Sequence, residues 1–161
     1  MDNFLKAAED GDLEKFKHYL YKENPSTFFI NDAISLAAMK GNIEIVKFIL
    51  ENKRVDPYDA MREAAIHGHI DVVKLLLTDE RVDPTNENNG IIRMAARNGY
   101  TEVVKLLLQD GRADPTANNN EALRMAARNG HTEVVKLLLQ NDRVDPSVVN
   151  DYAIRKAAKN G

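Results

Sequence analysis

Two apolar patterns alternate along the chain. The first is a short run centred on an alanine pair: Ala7-Ala8, Ala37-Ala38, Ala64-Ala65, Ala95-Ala96, Ala126-Ala127 and Ala157-Ala158. Each pair is followed three residues later by a glycine: Gly11, Gly41, Gly68, Gly99, Gly130 and Gly161. The second is an eight-residue block, read as IEIVKFIL, IDVVKLLL, TEVVKLLL and TEVVKLLL. Its apolar positions are the third, fourth, sixth, seventh and eighth, a helical spacing that covers most of the circumference. Such a helix has to pack on both sides, against its own unit and the next. The alternation predicts pairs of short helices hinged at a glycine. In each pair the alanines permit close approach, so larger residues there should overpack the contact.

The pattern is a sequence repeat. Asn118–Gln140, NNNEALRMAARNGHTEVVKLLLQ, nearly duplicates Glu87–Gln109, ENNGIIRMAARNGYTEVVKLLLQ, 31 residues earlier. The alanine pairs are spaced by 30, 27, 31, 31 and 31 residues, and Asp-Pro closes four units at Asp56, Asp83, Asp114 and Asp145. A period of this size indicates a solenoid, in which each unit buries its apolar faces only against its neighbours. The units run approximately 1–30 (an N-terminal cap), 31–57, 58–84, 85–115, 116–146 and a partial 147–161, forming one domain over 1–161.

Each unit has its own signals. In the first, Lys15 and His18 stand where later units carry apolar residues, the polar substitution expected of a cap. Lys22–Ile30 reads as a linker whose Phe28, Phe29 and Ile30 cover the edge between the first two units. Asn31, Asn89 and Asn120 fall in one column with Asp151. They are N-cap candidates, with Asp59 standing in one residue later in the third unit. Gly41, Gly68, Gly99 and Gly130 occupy the position after the first helix, where a left-handed backbone is commonly required. The loop into the third unit is four residues shorter than the loops that follow it. The chain stops where the second helix of a sixth unit should begin. The expectation is therefore a piece of a longer array, or an end covered by a partner or by end-to-end self-association.

Composition narrows the function classes. A net charge of −3 argues against a nonspecific nucleic-acid binder. Without cysteine there is no disulfide framework or thiolate chemistry. No window approaches the apolar length of a membrane span, and the acidic start does not resemble a secretory signal. These features suggest a soluble intracellular, cytoplasmic protein. His18, His67, His69 and His131 do not converge on a zinc site. The aspartates recur once per unit as turn residues rather than as a calcium loop. No phosphate loop, HExxH or Ser-His-acid arrangement is present. No enzyme, cofactor or small-molecule substrate is implied.

The blocks AARNGHTEVVKLLLQ and AARNGYTEVVKLLLQ resemble the core of the ankyrin repeat, a two-helix unit followed by a turn. The resemblance covers nearly the whole chain and implies an all-α ankyrin-type solenoid whose first helices line a concave face. The usual Thr-Pro-Leu-His opening is replaced, for example by Asp32-Ala33-Ile34-Ser35 and Glu121-Ala122-Leu123-Arg124. The period is also shorter than the family's 33. Shortened, Asn-rich turns are expected in place of the family's β-hairpin fingers. The D-R-V-D-P phrasing further resembles arrays encoded by large DNA viruses of protists, which would place the protein in host cytoplasm.

The resemblance implies a non-catalytic module binding an unidentified protein through the concave face and the inter-repeat loops. The alternative is a rigid spacer positioning a further C-terminal region. Candidate contact residues are Met39, Ile66, Met94, Arg97, Met125 and Arg128, where side chains vary along a repeated scaffold. Arg62, Arg93, Arg124 and Arg155 form another column. Its members either bond loop carbonyls and a neighbouring unit's acid, or form a basic stripe for an acidic peptide or phosphate backbone.

Overall fold

The structure, a computed structural model, describes residues 2–51 and 55–148. The chain divides into two compact units, Met1–Val82 and Asp83–Gly161. The partial sixth repeat from 149 onward, with Asp151, Arg155 and Gly161, lies outside the described residues.

The first unit holds three helix pairs: α1 (Asp2–Asp10) with α2 (Leu13–Glu23), α3 (Thr27–Lys40) with α4 (Ile43–Leu50), and α5 (Tyr58–His67) with α6 (Ile70–Leu77). Helices α1, α3 and α5 stack side by side through their alanine pairs, all of them buried. Having only a methyl group, these residues let the helices approach, and Ile34 and Met61 fill the layer between them. The second helices close the other side with Phe16, Ile45, Val46, Ile49, Val72, Val73 and Leu76. At the N-terminal end, α2 buries only Phe16, which stacks on Phe4 at 4.8 Å between ring centroids.

The second unit repeats the plan with α7 (Asn86–Asn98), α8 (Thr101–Asp110), α9 (Ala117–Asn129) and α10 (Thr132–Leu139), followed by a 3₁₀ turn at Pro146–Val148. Helices α7 and α9 pack closely over Ala95, Ala96, Ala126 and Ala127. Among the described residues every regular element is helical, so each unit consists of stacked helix-turn-helix repeats without a β-hairpin finger.

The loops are tighter than a finger, and unusual in backbone. Glu87, Asn88 and Asn89 all have positive φ (52°, 56° and 62°), as do Asn118, Asn119 and Asn120 (54°, 59° and 56°). Three successive left-handed residues cost of order 1–2 kcal/mol each for ordinary side chains. Asparagine is the residue that adopts this conformation most readily apart from glycine. The asparagine run is the sequence signature of this turn. Asp114 prepares it: its Oδ1 accepts from the Thr116 N–H at 3.0 Å and from its hydroxyl at 2.8 Å.

Several expectations need correction. Residues 27–30 are not a linker. Helix α3 starts at Thr27, so Phe28, Phe29 and Ile30 form its first turn, and Phe28 is 68% exposed rather than covering an edge. Asn31 therefore sits inside a helix and caps nothing. Its Oδ1 instead accepts the Asp56 N–H at 3.1 Å, and Asn89 Oδ1 does the same for Asp114 at 2.7 Å. The column ties the start of one repeat to the Asp-Pro turn that opens the next. Asn120 is buried like Asn89, but its Oδ1 has no hydrogen-bond partner among the described residues. Asp59 is not an N-cap either; it lies in the first turn of α5, and Asp56 Oδ1 accepts the Tyr58 N–H.

The glycines at the helix ends take φ of 75–81°. At Gly41 and Gly99 a second demand is added. A β-carbon would lie 2.6 Å from His69 Nδ1 and 2.5 Å from His131 Nδ1, the rings of the following repeat. Gly111 has the same φ of 81° with nothing within 4 Å. Gly111→Ala should then cost only the left-handed backbone penalty, about 1–2 kcal/mol, while Gly99→Ala adds a steric clash. Urea midpoints should rank wild type above Gly111→Ala above Gly99→Ala, and His131→Ala should relieve part of the Gly99→Ala loss. Equal losses at the two glycines would show that the ring contact contributes nothing.

Candidate functional site

The exposed stripe of each first helix is set by its buried one. In α3, Ala33, Ile34, Ala37 and Ala38 are buried, which leaves Asp32, Ser35, Leu36 and Met39 at the helical i, i+3, i+4, i+7 positions on the other side. The same register places Asp59, Arg62, Glu63 and Ile66 on α5. On α7 it gives Arg93, Met94 and Arg97, with a buried Gly90 at the first position, and on α9 it gives Glu121, Arg124, Met125 and Arg128. All six candidate contact residues fall in this stripe. Met39, Ile66 and Met125 are half-buried, Met94 is 36% exposed, and Arg97 and Arg128 are exposed.

In the second unit the two arginine columns differ in what they hold. Arg93 pairs with Glu121 of the next repeat and donates from Nη2 to the Glu87 carbonyl at 3.0 Å. Arg124 donates to the carbonyls of Asn119 and Asn118 at 3.0 and 3.1 Å. Left-handed turns leave carbonyls without helical partners, and these guanidinium groups satisfy them. The Asn88 amide bonds to Asn118, whose own amide donates to Glu121 at 3.0 Å. That hydrogen bond, with help from Arg93, holds the Glu121 carboxyl below its usual value. Arg97 and Arg128, by contrast, have no ion-pair partner among the described residues. They sit in the last turns of α7 and α9, where the helix dipole favours a cation.

In the first unit the stripe is hollow. Leu5, Asp32, Ser35, Leu36, Met39 and Glu63 line a depression of about 370 Å³ between α1, α3 and α5. Arg62 lies at Asp59 and Glu63, 3.4 and 3.0 Å away.

Asn42, His69 and His131, each following a helix-end glycine, are engaged between repeats. His69 Nε2 donates to the Met39 carbonyl at 2.8 Å and His131 Nε2 to that of Arg97 at 2.9 Å. Asn42 Nδ2 bonds the carbonyls of Ala8 and Glu9, both at 2.9 Å. Among the described residues no group of three His, Asp or Glu side chains is arranged to hold a metal. Among the described residues no helix is long and apolar enough to cross a membrane.

Sequence reasoning missed another arginine column, in the D/N-x-R-V/A-D-P segment. Arg81 is anchored by Asp79 and donates to the carbonyls of Leu50 and Val55, at 3.1 and 3.2 Å, in the preceding repeat. Arg143 reaches Ala113 O at 3.3 Å in the same way. The regular Arg two residues before each Asp-Pro was the available signal.

These geometries define, in each unit, a repeat scaffold of stacked helix pairs with a varied stripe on its first helices. A family model described as ankyrin repeats (3 copies) matches residues 4–88 and 64–150. The chain belongs to the ankyrin repeat family. Proteins of this family are generally non-enzymatic protein–protein interaction modules. A search of curated proteins found no match.

The Glu121 network has a pH consequence. Its carboxyl titrates lower in the folded chain than the usual value near 4.5. Its stabilisation is therefore present above the unfolded-state pKa and is lost as pH falls through the folded-state one. Glu121→Gln should be less stable than wild type near neutrality. The difference should shrink as pH falls from about 6 to about 3, as measured by urea unfolding at each pH. A gap that stayed constant would show that the carboxylate charge is not what stabilises this turn.

Proposed function

We propose that this chain is a protein-binding module that engages its partner through the exposed stripe of the first helices and the loops leading into them. The observation that carries this reading is the pair Arg97 and Arg128. Both are exposed and have no ion-pair partner among the described residues, and each lies one helical turn from a methionine, Met94 or Met125. On α7 and α9 four arginines stand against two glutamates, and one of those glutamates is already paired. Methionine adapts to varied surfaces, and unpaired guanidinium groups favour carboxylate partners. Met39 and Ile66 hold the corresponding positions on α3 and α5 of the first unit. Gly41, Gly68, Gly99, Gly130, Asn31, Asn89, Asn120, Arg93 and Arg124 build the scaffold beneath it. A preformed face limits the ordering cost of association. We further propose, from the D-R-V-D-P phrasing, that the array is of the type encoded by large DNA viruses of protists.

A random peptide library selected on the purified chain tests the binding reading. Selected peptides should be acidic, and Arg97→Glu/Arg128→Glu should weaken them at least about tenfold, the range expected when a charged contact is reversed. Lys74→Glu/Lys105→Glu, on the second helices, should leave binding unchanged. Loss in the second variant but not the first would move the contact to the other side of the repeats. Failure to select any binder would favour the spacer reading.

A further inference from the structure

The hollow in the first unit has a specific origin. With the alanine pairs aligned, Leu5 and Ser35 occupy the column that holds Arg62, Arg93 and Arg124 in later repeats. Asp32 occupies the column of Glu121. In the second unit these two columns meet across adjacent helices, where Arg93 of α7 pairs with Glu121 of α9. The corresponding meeting in the first unit, between α1 and α3, is Leu5 against Asp32. Leucine cannot supply the cation. Asp32 is half-buried and has no hydrogen bond or ion pair among the described residues. Ser35, small where an arginine would extend, leaves the space between α3 and α5 open. The depression of about 370 Å³ is thus a place where the array elsewhere puts a guanidinium.

We propose that this hollow is a binding site for an arginine side chain of a protein partner. The chemistry of the lining fits that occupant. Leu5, Leu36 and Met39 offer apolar surface to the three-carbon stem, while Asp32 offers an unused carboxylate to the planar head group. The Ser35 hydroxyl and the Glu63 carboxylate border the same space. Glu63 is shared with Arg62, so Asp32 is the principal anion. A neutral residue would leave Asp32 half-buried and unpaired. A short apolar residue would fill the hollow but gain nothing from the carboxylate. The proposal rests on the reading of the chain as a protein-binding module only for the nature of the ligand. Its site is separate from Arg97 and Arg128.

The test uses single-residue probes on the full chain, so it does not depend on finding the partner. N-acetyl-arginine amide titrated into isotope-labelled protein should give saturable amide shifts centred on Leu5, Ser35, Leu36, Met39 and Glu63. N-acetyl-citrulline amide, the uncharged isostere, should bind at least tenfold more weakly. Asp32→Asn, a change at a half-exposed carboxylate, should weaken the arginine probe by a similar factor with an unchanged urea midpoint. Ser35→Arg should fill the site from within and abolish the shifts. Equal binding of citrulline, shifts centred elsewhere, or no saturable shift would each overturn the proposal. None of these outcomes bears on the acidic peptides that Arg97 and Arg128 select, so the two readings fail separately.

Discussion

The structure depends on one demand, that the carbonyls at the end of each first helix find donors although the chain turns away at once. A helix leaves its last four carbonyls without internal partners, and in a stack these ends are pressed against the next repeat. The residues after Gly41, Gly68 and Gly130 supply the missing donor from the neighbouring repeat: Asn42 to Ala8 and Glu9, His69 to Met39, and His131 to Arg97. The side chain can reach only if the preceding repeat has no β-carbon in the way, which makes the glycine and the latch residue of the next repeat one device. The left-handed turn that glycine permits also satisfies part of the same helix end through its own N–H.

A parallel device operates at the other end of the repeat. The Asp-Pro turn presents a backbone N–H that Asn31 or Asn89 accepts, and Arg81 and Arg143 reach back to carbonyls of the previous loop. Latches at both ends hold neighbouring pairs in register through polar groups. Between them lies an alanine seam that is nearly featureless in shape. Small flat contacts pack well but specify register poorly, so the hydrogen bonds contribute the positional information and the apolar burial contributes most of the driving force.

Register matters because the stripe on the first helices is assembled from different repeats. Each side chain there has as neighbours the residues one helical turn away and the residue at a neighbouring column one repeat on. The Arg93–Glu121 pair is built this way, and Asp32 is left over in the same way, because Leu5 stands opposite it. Variation in a single column therefore changes the electrostatics of two repeats at once. A repeated scaffold can acquire a distinct pocket by changes confined to a single column, without changing a helix.

The sequence by itself determined the helices, the glycine turns and the exposed stripe. Each of these depends on residues three or four apart and on whether a β-carbon is present, and both are written locally in blocks such as AARNGHTEVVKLLLQ. The asparagine runs were readable as tight turns for the same reason. The start of α3 was misread because Phe28, Phe29 and Ile30 look like a covering segment when their neighbours are unknown, whereas in the fold they extend a helix. Only the tertiary structure decided what the Asn31 and Asn89 amides accept, what Arg81 clamps, and that Asp32 lacks the cation its counterpart has. Those roles belong to pairs of residues some 25 to 31 positions apart, brought together by stacking. Each such contact depends on a side chain's reach across the seam, which the order of residues along one helix does not encode.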